Sequence, residues 1–275
     1  MCQLISTVQQ RQGRADLHVH TIHSDGQFTP QEVIDRAKAA GLSAVAITDH
    51  DTLGGCMALS VAGIEFVPGV EITTEYHGRE LHLLGYFVRL DDFDLTAALD
   101  EVRRQRSVRF EIIIERLRAS GLSIEEGAVR SLHEAGGTLG RRHLAKMLVD
   151  SKQVCSLFQA FSRFLNTPEM QTIPKHRLPV AQAIELVHAA GGVSSWAHPP
   201  SDATIEQMRE LQALGMNAVE AEYPWAKQSH GRKLRKMATE LGLAITGGSD
   251  CHGPKPNNRA IGVRGITRAE LDRLR

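Results

Sequence analysis

The chain has 275 residues, 42% of them hydrophobic and 23% charged, which suits one large domain or one domain with an insertion. Lys+Arg and Asp+Glu both total 32, so the formal net charge is zero and binding to nucleic acid by bulk charge is disfavoured. Four scattered cysteines without a CxxC pair argue against a disulfide scaffold or structural zinc site and for a reducing cytoplasm, and no apolar run approaches the ~20 residues of a membrane span.

Residues 1–13 are polar and lack the apolar run of a signal peptide, so a short flexible leader is expected there. Short apolar or β-branched runs follow at 16–20, 44–48, 65–70, 81–88, 192–197, 218–222 and 244–246, the length of buried strands. The first helix is marked by Thr29 as cap, Pro30 in the first turn, Glu32 completing a T-x-x-E capping box, and Gly41 as stop. Further helices are expected at 180–190, 205–214 and 227–241, each followed by glycine. Strand and helix alternate as in a parallel sheet or barrel. The stretch 90–179 differs: helices are expected at 95–119, 123–133, 140–150 and 154–165, with no strand pattern. It reads as a helical insertion between the barrel halves 14–89 and 180–275.

Thirteen histidines are the unusual count, and six of them lie in or just beyond expected strands beside carboxylates. Asp16-Leu-His18-Val-His20 puts two imidazoles on one side of a strand, with Asp16 as a candidate partner behind them. Asp25 sits in a Ser-Asp-Gly turn, His50 between Asp49 and Asp51 after a strand, and Glu71 at the end of another. His82 lies within an apolar strand, His198 follows a strand, and Asp250 and His252 follow the last one. The C-terminal ends of barrel strands are where α/β active sites form, and mixed imidazole and carboxylate suits Mn²⁺, Fe²⁺ or Zn²⁺. Taken alone, His82 between leucines is more often a core histidine than a ligand, and Asp49 reads equally as a turn former. His23, His77, His133, His188 and His230 lack the strand-end context and suit surface or capping roles. Cys251 should face away from Asp250 and His252 and serve packing.

These segments, in this order, resemble the successive motifs of the PHP (polymerase and histidinol phosphatase) family: Asp16-Leu-His18-Val-His20-Thr21, Ser24-Asp25-Gly26, Thr48-Asp49-His50-Asp51-Thr52, Gly69-Val70-Glu71-Ile72, His198-Pro199 and Gly248-Ser249-Asp250-Cys251-His252. The resemblance implies a distorted (β/α)7 barrel, an α/β fold here carrying the helical insertion, and a site for two or three divalent metal ions, Mn²⁺ foremost. By resemblance, one ion is held by His18, His20, Glu71 and Asp250. A second uses Glu71, His82 and His198, and a third Asp25, His50 and His252. Gly140-Arg141-Arg142-His143-Leu144-Ala145 and His82-Leu83-Leu84-Gly85 further resemble stand-alone bacterial members that dephosphorylate 3′,5′-bisphosphonucleosides and trim RNA from its 5′ end. The short segment between Asp51 and Val67, Pro200-Ser201-Asp202 after His198-Pro199, and Tyr223-Pro224-Trp225 depart from that pattern near the barrel mouth.

The expected reaction is hydrolysis of a terminal phosphate ester by a metal-activated hydroxide. The substrate would be a phosphate-containing small molecule or an RNA 5′ end, with no membrane and no required protein partner. Arg141, Arg142, His143 and Lys175 are the candidate phosphate contacts, the arginines at a helix start. His198 and His252 are candidates to protonate the leaving group if free of metal, which they could not do as ligands. Loss of Asp25 should abolish turnover. Two alternatives stand beside this reading: a small-metabolite phosphatase of the histidinol-phosphate type, and a metal-stabilised interaction domain without catalysis.

Overall fold

A computed structural model describes residues 13–57 and 59–275, so all but the last residue of the expected leader lies outside the described residues. Seven strands make a nearly closed barrel: β1 (Arg14–Asp16), β2 (Ala44–Ile47), β3 (Glu65–Tyr76), β4 (Arg79–Tyr86), β6 (Val193–Trp196), β7 (Ala218–Glu222) and β8 (Ala244–Gly247). Leu17 N–H donates to Gly247 O at 3.1 Å and Val19 bridges Cys251, which joins the two ends of the sheet. Two short strands sit outside this circuit: β5 (Leu178–Pro179) pairs with β3, and β9 (Ile266–Thr267) with β1.

The barrel is distorted because β4 runs antiparallel to both its neighbours, β3 and β6. Its cause is local. Only His77 and Gly78 separate β3 from β4, and both have positive φ (50° and 75°), the two-residue turn that folds a strand back on itself. A parallel neighbour would have needed a crossover helix. The hairpin also carries β3 to Tyr76, beyond the strand end expected near residue 70, so Glu71 lies mid-strand.

Helices cover the outside. In α1 (Pro30–Ala39), Thr29 accepts from Glu32 N–H and the reciprocal capping bond is present, while Val33, Ile34 and Ala37 turn inward. Among the described residues between β2 and β3, only a short 3₁₀ turn, Gly54–Cys56, stands where a second barrel helix would be. The insertion supplies α2 (Phe93–Ala119), α3 (Glu126–Ala135), α4 (Arg141–Asp150), α5 (Leu157–Ala160) and α6 (Pro168–Gln171), with a π-helical turn at Phe161–Leu165. The barrel half resumes with α7 (Val180–Ala189), α8 (Ile205–Ala213), α9 (Gln228–Leu241) and α10 (Arg268–Asp272).

The apolar side chains sort into separate clusters. One is built wholly from residues between Phe110 and Ile173, so the insertion has a core of its own. Leu95, Leu99 and Val102, from the first half of α2, belong instead to the barrel cluster with α7, α8 and α9. A single long helix is thereby anchored in both cores. Its middle, at Arg106, crosses the barrel mouth.

Candidate metal centre

The site is built where the strands open onto the mouth. β1 stops at Asp16, whose buried carboxylate accepts from the backbone N–H of His18, Ser249 and Gly262 at 3.4, 2.8 and 2.7 Å. Asp16 therefore ties the chain after β1 to the loops after β8, and it holds the His18 backbone rather than its ring. His18 and His20 are fully buried and point the same way. Their Nε2 atoms lie 3.3 and 3.2 Å from Glu71 Oε2, and 3.4 and 3.1 Å from Asp250 Oδ1. Gly248 allows this approach, since a Cβ there would stand 2.3 Å from His18 N.

After β2, the three residues Asp49, His50 and Asp51 divide their work. Asp49 accepts from Thr21 N–H, Thr21 Oγ1 and Ser24 Oγ at 2.7, 2.6 and 2.6 Å, fixing the turn that carries Asp25. Asp51, at φ 51°, accepts from Thr73 N–H and Oγ1 and pairs with Arg106 Nε at 2.6 Å. Between them His50 Nδ1 comes within 3.1 Å of Glu71 Oε2.

His82 sits near the start of β4, yet it reaches the same mouth because β4 is reversed; its Nδ1 is 2.8 Å from Glu71 Oε1. His198 Nε2 lies 2.9 Å from the same oxygen. Five imidazoles thus face the one carboxylate of Glu71. On the far side, His252 Nε2 is 3.2 Å from Asp25 Oδ1, and its Nδ1–H donates to Asp250 O at 2.9 Å. His198 and Asp250 are held at φ 32° and 46°, a left-handed backbone that such residues rarely adopt without tight surroundings.

Eight of the nine expected residues fall in three overlapping groups whose donor atoms lie within 4.8 Å of one another: His18, His20, Glu71 and Asp250; His50, Glu71 and His82; His20, Asp25, His50 and His252; the ninth, His198, lies 2.9 Å from Glu71 Oε1. Membership differs from the expected division at three points. His50 joins the Glu71–His82 group, with His198 attached through Glu71, and His20 also reaches the Asp25 group. His23, His77, His133, His188 and His230 stay outside; His188 binds Asn217, His230 binds Pro199 O, and His133 and His77 pair with glutamates.

The donor set fits divalent ions. His18 Nε2, His20 Nε2, His50 Nδ1 and Asp25 Oδ1 are buried, converge, and have no hydrogen-bond partner. A buried polar atom without a partner is costly unless something else satisfies it. Burial works against charge on His18, but Glu220, Glu71 and Asp250 outweigh it and hold the imidazole well above its usual value. The same contest takes His20 up to about 10 and His82 to about 9, the latter chiefly through Glu71. Against burial, the histidines around them hold Asp25, Glu71 and Asp250 well below the carboxylate range. The carboxylates keep their charge, balanced here by protonated imidazoles; divalent ions bound by the same atoms would take the place of those protons.

Two neighbours escaped the sequence reading. Glu220, buried on β7, accepts from His18 Nδ1–H at 3.0 Å and from His198 N–H at 2.7 Å. It fixes the tautomer that aims the Nε2 lone pair of His18 into the site. Its only signal in the sequence was a glutamate inside the short run Ala218–Glu222. Arg106 is the other, reached only through the path of α2.

The cap brings its positive charge to one place. Arg106, Arg109, Arg141 and Lys175 line a small cavity with Gly140 and Phe110. Lys175 pairs with Glu80 Oε1 at 2.6 Å, and Glu80 also meets His82 Nε2 at 3.1 Å. Burial and then Arg106 bring the Lys175 ammonium down to about 8; burial and Arg141 bring Arg109 to about 10. Arg142 and His143 face another cavity, shared with Asp25, Gln27 and Lys146. The expected phosphate contacts thus divide between two hollows on either side of the α4 N-terminus.

Known proteins resemble this chain in sequence and fold over nearly its whole length. The model of the PHP domain matches residues 16–114. A 5′-3′ exoribonuclease of Haemophilus influenzae is 32% identical over 87% of this chain and 90% of its own length. A 3′,5′-nucleoside bisphosphate phosphatase of Chromobacterium violaceum is 30% identical over 90% of each. Among solved structures, a chain from Bifidobacterium adolescentis superposes with a TM-score of 0.86 at 27% identity, covering 94% of both chains. An amidohydrolase from Chromobacterium violaceum gives 0.83 at 29% identity, covering 94% of this chain and 96% of its own. The barrel, its motifs in order and these relatives together show that the chain belongs to the PHP family and is a metal-dependent phosphoesterase, a hydrolase of phosphoric ester bonds.

Proposed function

We propose that the enzyme removes a terminal phosphate from a nucleotide, a 3′,5′-bisphosphonucleoside or the 5′ end of a short RNA. The observation that carries this reading is the pairing of two charged features: Glu71 ringed by five imidazoles, and a cationic cavity of Arg106, Arg109, Arg141 and Lys175 one residue beyond His82. A substrate with one phosphate would need only the first. A second phosphate, or the backbone of a nucleic-acid strand, matches the second. Both named relatives act on such molecules, and the amidohydrolase from Chromobacterium violaceum holds a sulfate, a tetrahedral oxyanion of the same shape.

In this reading His18, His20, Glu71 and Asp250 hold one ion. Glu71, His82 and His198 hold a second with His50 in reach, and Asp25, His50 and His252 a third. Mn²⁺ suits this oxygen and nitrogen set, with Fe²⁺ or Zn²⁺ as the other candidates. Such ions supply Lewis acidity toward the phosphoryl oxygens and a nucleophile drawn from water near neutral pH. The chain's own residues do the rest. Glu220 orients His18, Asp49 and Asp51 fix the loops bearing Asp25 and His50, and the cap arginines clamp the phosphate that is not cut. His198 Nε2 lies 2.9 Å from Glu71 Oε1 and His252 Nε2 3.2 Å from Asp25 Oδ1; as metal ligands these two could not also protonate the leaving group. Residues 14–89 with 180–275 act as the metal-holding barrel and 90–179 as the substrate-selecting cap. The described cysteines are free and no described helix is long and apolar enough to cross a membrane, consistent with a cytoplasmic enzyme.

The test is phosphate release with Mn²⁺ from adenosine 3′,5′-bisphosphate, short 5′-phosphorylated RNAs and histidinol phosphate. We expect kcat/KM for the nucleotides to exceed that for histidinol phosphate at least tenfold. Equal rates, or none on nucleotides, would overturn the proposed substrate while leaving the phosphoesterase standing.

A further inference from the structure

The rim beyond β6 and β7 carries an aromatic surface that the metal centre does not use. Trp225 lies three residues past the end of β7 and is 48% exposed. It is nevertheless held on several sides. Tyr223 packs edge-on with ring centroids 5.2 Å apart; it is buried, and its hydroxyl donates to Pro199 O at 2.5 Å. His198 lies 5.4 Å away, ring to ring. The Arg259 guanidinium sits 4.5 Å from the Trp225 ring and reaches Asp250 Oδ2 at 3.2 Å.

Trp225 is thereby fixed against two residues of the metal centre, His198 by direct packing and Asp250 through Arg259. His198 links the two: its ring lies 5.4 Å from that of Trp225 between centroids, and its Nε2 lies 2.9 Å from Glu71 Oε1. An indole this exposed loses water contact cheaply when a flat ring covers it, and its anchoring means little side-chain freedom is given up. Stacking of this kind tolerates any base, because each presents a π-face.

We propose that Trp225 is the stacking platform for the base of the nucleotide whose phosphate is cut, a specificity residue for base-bearing over base-free phosphate esters. The proposal rests on the nucleotide reading above. It assigns the two hollows of the cap to phosphate and the rim at β7 to the base.

The experiment uses the metal-loaded full chain. Trp196, the other of two tryptophans, is buried, so Trp196→Phe leaves Trp225 as sole emitter. Titration with adenosine 5′-monophosphate should quench that emission, and glycerol 2-phosphate should not. Trp225→Ala should raise KM for adenosine 3′,5′-bisphosphate on the order of tenfold with kcat little changed. Any loss in its kcat/KM for glycerol 2-phosphate should be several-fold smaller than the loss on the nucleotide, and Trp225→Phe, which keeps a ring against His198, should recover most of the nucleotide loss. Unquenched emission at saturating nucleotide, or equal losses on both substrates, would overturn the platform. A wild-type enzyme that cleaves glycerol 2-phosphate but no nucleotide would overturn the substrate reading instead, and the quenching titration would still decide whether Trp225 takes a base.

Discussion

Single residues decide how the site is aimed and charged. Glu220 touches no expected substrate atom, yet it fixes the His18 ring and the backbone of His198 together. Glu220→Gln keeps the shape but weakens a charge-assisted bond, so metal affinity should fall about 10- to 100-fold. Activity titrated against free Mn²⁺ would show a shifted midpoint with a largely restored plateau; an unshifted midpoint would remove Glu220 from this role. Lys175 offers a pH signature. Burial and Arg106 lower its pKa to about 8, from 10.5 in the unperturbed side chain. The ammonium is charged below that value and neutral above it, so KM for a bisphosphorylated substrate should rise as pH passes through about 8. Lys175→Arg keeps its charge and should flatten that rise. Glu220 also shows the limit of reading the chain locally. Most ligands stood in or just past expected strands, whereas Glu220 was recognisable only once β7 lay against β6.

At the scale of elements, the local code was largely legible. Thr29, Pro30 and Glu32 marked the start of α1, and its capping box is present because all three partners lie within one turn. The insertion read as helical and is so, apart from the short strand β5 and a π-helical turn where 154–165 suggested continuous α-helix. The reversal of β4 was not legible, since a strand's pattern of side chains is the same in either direction. Direction matters here: a reversed β4 brings His82 to the mouth from its beginning rather than its end. Gly248 tests how tightly the last strand is set. Gly248→Ala places a Cβ 2.3 Å from the His18 backbone nitrogen, so that backbone must shift and carry the ring with it. A displacement near 1 Å should cost about a hundredfold in kcat/KM. Wild-type activity in a folded Gly248→Ala protein would show that the site is softer than its packing suggests.

Across the whole molecule, the metal centre joins segments from residue 18 to residue 252, and its buried carboxylates and unpartnered imidazoles lie between both barrel halves. Ions bound there should act as a staple. At a hundredfold excess over Kd, one site adds about 2.7 kcal/mol to stability. Chelation should therefore abolish phosphate release and lower Tm by several degrees, and Mn²⁺ should restore both. Loss of activity without any change in Tm would mean that the fold is preorganised independently of metal. The α2 helix, rooted in the barrel core and in the core of the insertion, gives the cap a fixed place over this centre.

The sequence by itself determined which residues could meet a metal. Imidazoles and carboxylates at strand ends are chemically suited to little else in that number, and local spacing places most of them just past the end of a strand, Glu71 and His82 excepted. It also determined the helices, whose signals lie within a few residues. Tertiary structure alone decided that His50 also joins the Glu71–His82 group and His20 the Asp25 group, and which charges of the insertion meet the barrel. Those outcomes depend on contacts between segments as much as two hundred residues apart in the chain, and on the direction of one strand. No local pattern of side chains carries that information, because it arises only when the barrel closes.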